Sequence, residues 1–397
     1  MLTPLDKTLE VEVVERRLAE LWQQTSGNVG LDDEFAVLRA RVANLLVYVS
    51  SDSILGEVNG ILDELTAIHP SRVLLMLGEQ NASDHDIEMS VETLNVTDKR
   101  SGATRLCCEE VMLKAAGSFV SELPSAALPL LVPDLTTFLW WRAAVETDNE
   151  VFDALLQASD RLVVDSAEFV DPATELLGIT RLFTQEDYSH VGISDLNWAR
   201  LTSWRDLLAG FYDVAAYQPL LANVERVRID YLPPEHAPTA IAPQALLVTG
   251  WLASRLGWSF ADDQPFQQDG KVIFNRPLKP AEQGNQAKEG KQTVVIELNR
   301  VERSEGKPGR LVRVELQSNT AHQTSFAVSR SDDNLHLTTE ANLNAEVHRG
   351  RVVPVRNRSA ARLLSREMEI LCNDRIYQEA LAVSATLIEG TVPSSDG

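Results

Sequence analysis

The chain has 397 residues, 44% of them hydrophobic and 24% charged, the balance of a globular protein long enough for two or three domains. Its formal charge of −22 is uneven: residues 270–397 hold 18 Lys+Arg against 16 Asp+Glu, which leaves 18 against 42 in residues 1–269. So acidic a surface repels phosphodiester backbones and excludes general nucleic-acid binding.

The asymmetry reads either as solubility or as a more basic third that faces a different ligand or partner. No run of about 18 apolar residues spans a membrane. The opening MLTPLDKTLEVEVVERRL is acidic where a secretory leader needs a basic end and an apolar stretch, so a cytoplasmic chain is expected.

Residues 8–24 predict a helix with Val11, Val14, Leu18, Leu21 and Trp22 on one stripe, stopped by Ser-Gly-Asn, and DDEFAVLRARV predicts a second helical segment. From Ala43 the pattern changes. ANLLVYVS and SRVLLMLGE are apolar without alternation, the mark of strands covered on both faces, and ILGEVNGILDELTAIHP between them is an amphipathic crossover helix. IEMSVETLNV and TRLCCEEVMLKAA predict a hairpin around TDKRSGA, and SFVSELPSAALPLLV is partly helical. TTFLWWRA, EVFDALLQAS and DRLVVDSAEF then read as strand, helix and strand. On a central strand Trp140 and Trp141 point to opposite faces, so both are expected in a core.

DPATELLGITRLF and ISDLNWARLTSWRDLLAGFYD read as helices, the second capped by Asp195 and broken near Thr202–Ser203 because Trp198 and Trp204 do not share one helical face. VERVRIDYL is a strand and PQALLVTGWLASRLGW a helix. TVVIELNRVE, RLVRVELQS, TSFAVSRS and NLHLTTEA alternate with a period of two, which predicts an antiparallel sheet with one solvated face; a closing helix over SAARLLSREMEILCNDRIYQEALAVSATLI covers the other.

The elements together predict an α/β fold. A helical arm occupies 1–25, a Rossmann-like sheet with crossover helices occupies 26–170, and 171–390 holds a helical segment and then an α+β part with an antiparallel sheet. A mobile loop is expected at 277–292 and a disordered tail at 391–397.

Absences decide the chemistry. The chain has no G-x-G-x-x-G after a strand, no P-loop, no G-x-S-x-G, no H-E-x-x-H and no paired C-x-x-C, and its seven histidines are scattered. No catalytic, cofactor-binding or metal-ligating residue is assigned, and no cofactor is expected. In His69-Pro70-Ser71-Arg72 the choice is between a helix-ending loop and a phosphate contact through Arg72. Cys107, Cys108 and Cys372 are too few for a disulfide framework. They read as buried apolar thiols, as a redox switch joining Cys372 to the 107–108 pair across the domains, or as a single reactive thiol.

LPLLVPDLTTFLWWR, DRLVVDSAEF, DLNWARLTSWRDLLAGFYD and ALLVTGWLASRLGW, taken in this order, resemble the glucose-6-phosphate dehydrogenase assembly protein family, OpcA, in the version from photosynthetic bacteria. The resemblance runs over nearly the whole chain and implies a non-enzymatic factor. Such a factor binds the glucose-6-phosphate dehydrogenase oligomer, favours its active form and so promotes NADPH production in the pentose phosphate pathway, with a redox response through thioredoxin.

Exposed aromatics and arginines dominate interface energetics, so the candidate partner contacts are Trp198, Arg200, Trp204, Arg205, Tyr212, Trp251, Arg255 and Trp258, or the solvated face of the C-terminal sheet. The competing reading is an enzyme or sensor that binds a sugar phosphate or nucleotide on the N-terminal sheet.

Overall fold

A computed structural model describes residues 12–21, 42–97, 104–146, 148–261, 270–277, 293–302, 306–318, 324–344, 346–355, 359–370 and 372–390. The expected helical segment DDEFAVLRARV up to its last residue, the loop beyond residue 277 and the 391–397 tail lie outside the described residues. The chain divides into two compact units: Met1–Val164 with Gln185–Leu196 and Arg358–Asn373, and Asp165–Thr184 with Asn197–Asn357 and Asp374–Gly397.

In the first unit, helix α1 (12–21) precedes β1 (Ala43–Val49), α2 (Leu55–Thr66), β2 (Ser71–Glu79), β3 (His85–Thr97) and β4 (Thr104–Ala116). Then follow α3 (Leu123–Ala127), β5 (Thr137–Arg142), α4 (Glu150–Gln157) and β6 (Arg161–Val164). The sheet runs β3-β4-β2-β1-β5-β6-β7, with β7 at Gly192–Asp195, and every neighbouring pair is parallel except the β3–β4 hairpin.

All of β1 and the first eight residues of β2 are buried, as their unbroken apolar runs predict. Trp140 and Trp141 are 1% and 2% exposed; the Trp141 ring stacks on Tyr48 at 4.2 Å and meets Phe152 edge-on at 4.8 Å. Gly78 lets Tyr48 in: a Cβ there would lie 2.5 Å from the Tyr48 hydroxyl oxygen. The predicted arm helix is present over 12–21, with Val14 and Leu18 buried as the inward stripe.

The second unit is built on α5 (Pro172–Leu182), α6 (Leu196–Arg200), α7 (Thr202–Gly210), α8 (Gln218–Leu221), β8 (Val224–Tyr231) and α9 (Pro243–Leu256). Seven more strands follow: β9 (Ser259–Phe260), β10 (Lys271–Asn275), β11 (Thr293–Arg300), β12 (Leu311–Ser318), β13 (Thr324–Arg330), β14 (His336–Leu343) and β15 (Glu346–Pro354). The order is β15-β14-β13-β12-β8-β11-β10-β9, antiparallel except for the parallel β8–β11 pair.

Three sequence expectations change. ISD is not the start of a helix but strand β7, whose four buried residues Gly192, Ile193, Ser194 and Asp195 complete the parallel sheet; helix α6 begins only at Leu196, after Asp195. The short strands β9 and β10 and the exposed strand β15 were absent from the alternating set. The closing helix is two helices, α10 (Ala360–Glu369) and α11 (Arg375–Glu389).

Asp374 is the reason for that break. Its side chain accepts from the backbone N–H groups of Ile376 and Tyr377, an N-cap that starts a new helix. Helix α10 packs on α2 in the first unit, where Glu64 accepts from Ser359 Oγ at 2.8 Å and from Arg362 Nε at 3.3 Å. Helix α11 packs on α9 and α5 in the second unit. The α9–α11 approach needs Gly250, where a Cβ would lie 2.0 Å from the Ala380 carbonyl oxygen.

Within the first unit Glu110 of β4 is 7% exposed and stands directly opposite Glu92 of β3. Burial first, then the Glu92 and Asp63 carboxylates, push its pKa up to about 7. Between the ordinary value of 4.5 and 7 the unfolded chain releases this proton while the folded chain keeps it, so a rise in pH through that window destabilises the fold.

We expect Glu110→Gln to match the parent near pH 4.5 and to be more stable than it at pH 8, read as urea midpoints across pH. Trp140→Ala should lower the unfolding free energy by about 3–5 kcal/mol in the same assay, whereas Val347→Ala on exposed β15 should change it by less than about 0.5 kcal/mol.

Candidate functional site

Ligands of open parallel sheets bind beyond the carboxyl ends of the strands. In the first unit that edge is occupied by the turn Ser50-Ser51-Asp52-Ser53 after β1, by Glu79 and Gln80 at the end of β2, and by residues 143–146 and 148–150 after β5. A cavity of about 440 Å³ opens there between Gln80, Ser118, Glu146, Asp148, Asn149 and Glu150. Asn149 caps α4 by accepting from the backbone N–H groups of Val151 and Phe152, both at 3.0 Å.

These residues do not fit a dinucleotide. The β1–α2 turn has serines and an aspartate where a pyrophosphate needs glycines, and the Asp52 N–H points to the Glu79 carboxylate at 3.5 Å. Asp52, Glu57, Glu79, Glu146, Asp148 and Glu150 surround the edge, and Arg142 is engaged by Glu57 at 3.4 Å. Carboxylates so placed repel a pyrophosphate.

Arg72, the sequence candidate for a phosphate contact, is 2% exposed and committed elsewhere. Its Nε and Nη2 donate to Glu109 Oε2 at 2.9 and 2.7 Å, its Nη1 donates to Glu15 Oε1 at 2.5 Å and to the Leu130 carbonyl at 3.0 Å. Burial works against the charge, but the bonds and charges of Glu15 and Glu109 outweigh it and raise the Arg72 pKa.

Cys108 is buried: its thiol accepts from the Ser71 N–H at 3.1 Å and donates to the Thr66 carbonyl at 3.7 Å. Cys372 is exposed. Cys107 falls at the register shift of the β3–β4 hairpin, with its side chain outside the described residues. All three positions belong to the first unit, so a bond from Cys372 to either of the others would close a loop within that unit.

The eight candidate partner contacts all fall in the second unit, where the structure gathers several of them around α6 and α7. Trp198 and Trp204 are 4% and 2% exposed. Trp198 Nε1 donates to Asp374 Oδ2 at 2.8 Å, its ring meets Tyr377 at 5.6 Å, and the Arg205 guanidinium lies 3.4 Å above it.

Arg200 donates from both terminal nitrogens to the buried Asp165 carboxylate, at 2.6 Å each. Tyr212 packs edge-on against Phe326 at 5.4 Å, and burial raises its pKa. Trp251, Arg255 and Trp258 stand apart on α9 and just after it: Trp251 is half-buried, Arg255 is exposed and paired with Glu379, and Trp258 is buried against Phe274. Composition marks such residues as interface formers; their packing makes Trp198, Trp204 and Trp258 supports, with Arg205, Trp251 and Arg255 towards the surface.

The solvated sheet face carries a feature that single-strand reading misses. Strand pairing aligns Lys271, Glu297, Arg228, Glu315, Ala327, Glu340 and Arg349 in one row across seven strands. The signs alternate along it, and Arg313 spans the neutral position by reaching Glu315 at 3.2 Å and Glu340 at 3.5 Å. No strand shows more than two of these charges and β13 shows none; only the register reveals the row.

A second cavity of about 450 Å³ is lined by Tyr231, Ile241, Leu246, Leu298, Arg300 and Ile388 of the second unit. Arg300 there donates to the Thr239 carbonyl at 2.7 Å. Among the described residues no group of three or more His, Cys, Asp or Glu could hold a metal ion, and no helix is long and apolar enough to cross a membrane.

The two sheets define an α/β protein that pairs a Rossmann-like parallel unit without the phosphate-binding turn with a mostly antiparallel unit. Two family models match it: the glucose-6-phosphate dehydrogenase subunit N-terminal domain over residues 62–181 and the corresponding C-terminal domain over 191–381, together more than half of the chain.

Relatives named "Putative OxPP cycle protein OpcA" are 25% identical over 341 residues in Synechocystis sp. and 30% identical over 319 residues in Synechococcus elongatus, covering 84% and 77% of this chain. A third, from Nostoc punctiforme, is 33% identical over 198 residues, half of this chain. The chain belongs to the OpcA family. It spans 66%, 65% and 40% of those relatives' lengths, respectively.

Solved structures with a similar course include an oxidoreductase from Sinorhizobium meliloti (9% identity, TM-score 0.47, 88% of this chain and 97% of that one) and levoglucosan dehydrogenase in complex with NADH (11%, 0.46, 88% and 96%). Likeness at this level carries no argument about activity.

The thiol environments predict unequal reactivity. Iodoacetamide applied to the folded chain should label Cys372 fully and leave Cys108 unlabelled until denaturant is added, as read by peptide mass spectrometry.

Proposed function

We propose that this chain is a non-enzymatic partner of glucose-6-phosphate dehydrogenase in the oxidative pentose phosphate cycle, an activator that binds the dehydrogenase oligomer and favours its active form. The observation that carries the reading is the match of both family models, each described as a domain of a glucose-6-phosphate dehydrogenase subunit. The acidic carboxyl edge of the first unit supports it, because a scaffold that repels pyrophosphate is poorly suited to dinucleotide chemistry of its own.

The interface we assign is the charged row of the second unit's sheet, together with Arg205, Trp251 and Arg255. A stable complex buries about 1,600 Å² in total, an area that a broad, flat sheet face can supply. Alternating charges on such a face give register and partner choice more than affinity. Activation requires tighter binding to the active conformation, and about 1.4 kcal/mol of preference shifts the equilibrium tenfold. The redox response is assigned to Cys372, the exposed thiol: exchange with a low-molecular-weight disulfide would form a mixed disulfide on its Sγ and release one thiol, and the thioredoxin dithiol would restore it by releasing the second thiol and closing to its own disulfide.

The test is a titration of the full chain into purified glucose-6-phosphate dehydrogenase at low substrate, with NADPH formation followed for reduced and oxidised protein. A saturable rise in rate that Arg228→Glu with Arg313→Glu weakens at least tenfold, and that oxidation alters unless Cys372 is replaced by serine, is the expected result. No rise, and no complex on a sizing column, overturns the reading.

A further inference from the structure

Arg200, Arg310 and Arg330 lie close together in the second unit. Arg200 ends α6, Arg310 leads into β12 after the turn at Gly309 (φ +72°), and Arg330 ends β13. Leu311 ties two of them: its N–H donates to Gln244 Oε1 at 3.0 Å and its carbonyl accepts from Arg330 Nε at 3.0 Å. Trp204 supports Arg330 from below, with the guanidinium carbon 5.7 Å from the ring centre.

Two carboxylates act on this group, Asp165 and Glu168, and Asp165 is taken by Arg200. Asp165 is 5% exposed, accepts both Arg200 bonds, and receives the Ala167 N–H at 3.2 Å. Burial alone would raise its pKa, but Arg200 outweighs it and holds the carboxyl below its ordinary value.

Arg310 has no such partner. Among the described residues the only hydrogen bond from its guanidinium is 3.4 Å long, to Asn197 Oδ1, which already accepts from Gln244 Nε2 at 2.7 Å. Burial, followed by repulsion from Arg200, lowers its pKa to about 10 despite Asp165. A guanidinium carries five donors in a fixed fork, and most of those of Arg310 face solvent, open to an anion. All three arginines remain partly open to solvent.

We propose that Arg310, with Arg200 and Arg330, forms a binding site for a small phosphate anion, either inorganic phosphate or a phosphate monoester. The three guanidiniums against the Asp165 and Glu168 carboxylates leave a net charge of +1, which favours an anion, and a planar fork suits phosphate oxygens. The −22 charge of the chain disfavours long polyanions there but not a small ion, because its field is screened beyond about 8 Å at physiological salt. The site goes beyond the activator reading and does not depend on it.

The test uses the full chain without the dehydrogenase. Inorganic phosphate and glycerol phosphate are titrated by calorimetry and thermal shift, with chloride and acetate at matched ionic strength as controls. The parent should show saturable binding of phosphate with a raised melting temperature.

Arg310→Gln should weaken that binding about tenfold to a hundredfold and keep or raise the melting temperature of the free protein, because it removes an uncompensated charge. Arg375→Gln, on the exposed face of α11, should leave binding unchanged. Equal affinity for the two phosphates assigns the site to the phosphate group alone, and tighter glycerol phosphate assigns it to monoesters; both support the proposal.

No saturable response beyond that of chloride, or equal affinity in Arg310→Gln and the parent, overturns it. Should Arg310→Gln fail to fold, Arg310→Lys provides the comparison, with a loss of affinity expected and an unchanged affinity counting against the site.

Discussion

The central strands of the first unit admit no water on either face, and this constraint decides where its polar groups go. β1, β2 and β5 fill the space between helices with Leu, Val, Trp and Phe, so any charge near them needs an internal partner. Arg72 shows the solution. It enters the sheet at the amino end of β2 and is met by Glu109 from β4, Glu15 from α1 and the Leu130 carbonyl, which ties strand, hairpin, arm and loop at one guanidinium. Asn44 does the same at the start of β1, where its amide donates to the Val132 carbonyl and its oxygen accepts the Val132 N–H. The arm's inward stripe of Val14 and Leu18 then has a defined position, because Glu15 between them is fixed by Arg72.

The opposite edge of the same sheet is where function is usually sought, and its chemistry is reversed. Serines and carboxylates replace the glycines and backbone amides that would cradle phosphate. Basic residues are placed differently in the second unit, where the sheet row alternates them with carboxylates and the arginine group clusters them. A partner that recognises a pattern of charges suits that distribution better than a cofactor in the parallel sheet does.

The elements with strong periodicity were legible from the sequence. β1, α2, β2, the β3–β4 hairpin, β5 with its two buried tryptophans, and the alternating strands β11 to β14 follow directly from apolar spacing. What escaped had a physical reason in each case. β7 is four residues long and runs without a turn signal into α6, so Ile193 and Leu196 look like one helical face. β15 is exposed over nearly its whole length and so carries no alternation to detect. The break at Asp374 was readable in principle, since Asn373-Asp374 before Arg375-Ile376-Tyr377 is a capping signal, but the long apolar pattern on both sides masked it.

The site was less legible than the fold. Aromatic and arginine content pointed to Trp198, Trp204 and Trp258, yet composition does not distinguish a buried support from a surface contact. The row from Lys271 to Arg349 needs strand register, and Arg310 stands out only when its neighbours' bonds are known.

The division of the chain has a consequence for its synthesis. The first unit is finished by Arg358–Asn373, roughly 200 residues after its main body ends at Val164. At about 5–20 residues per second a ribosome takes on the order of 10–40 s to deliver that last piece. Until then the apolar side of α2 lacks α10, and Glu64 lacks Ser359 and Arg362. The nascent first unit therefore waits with an open flank while most of the second is made.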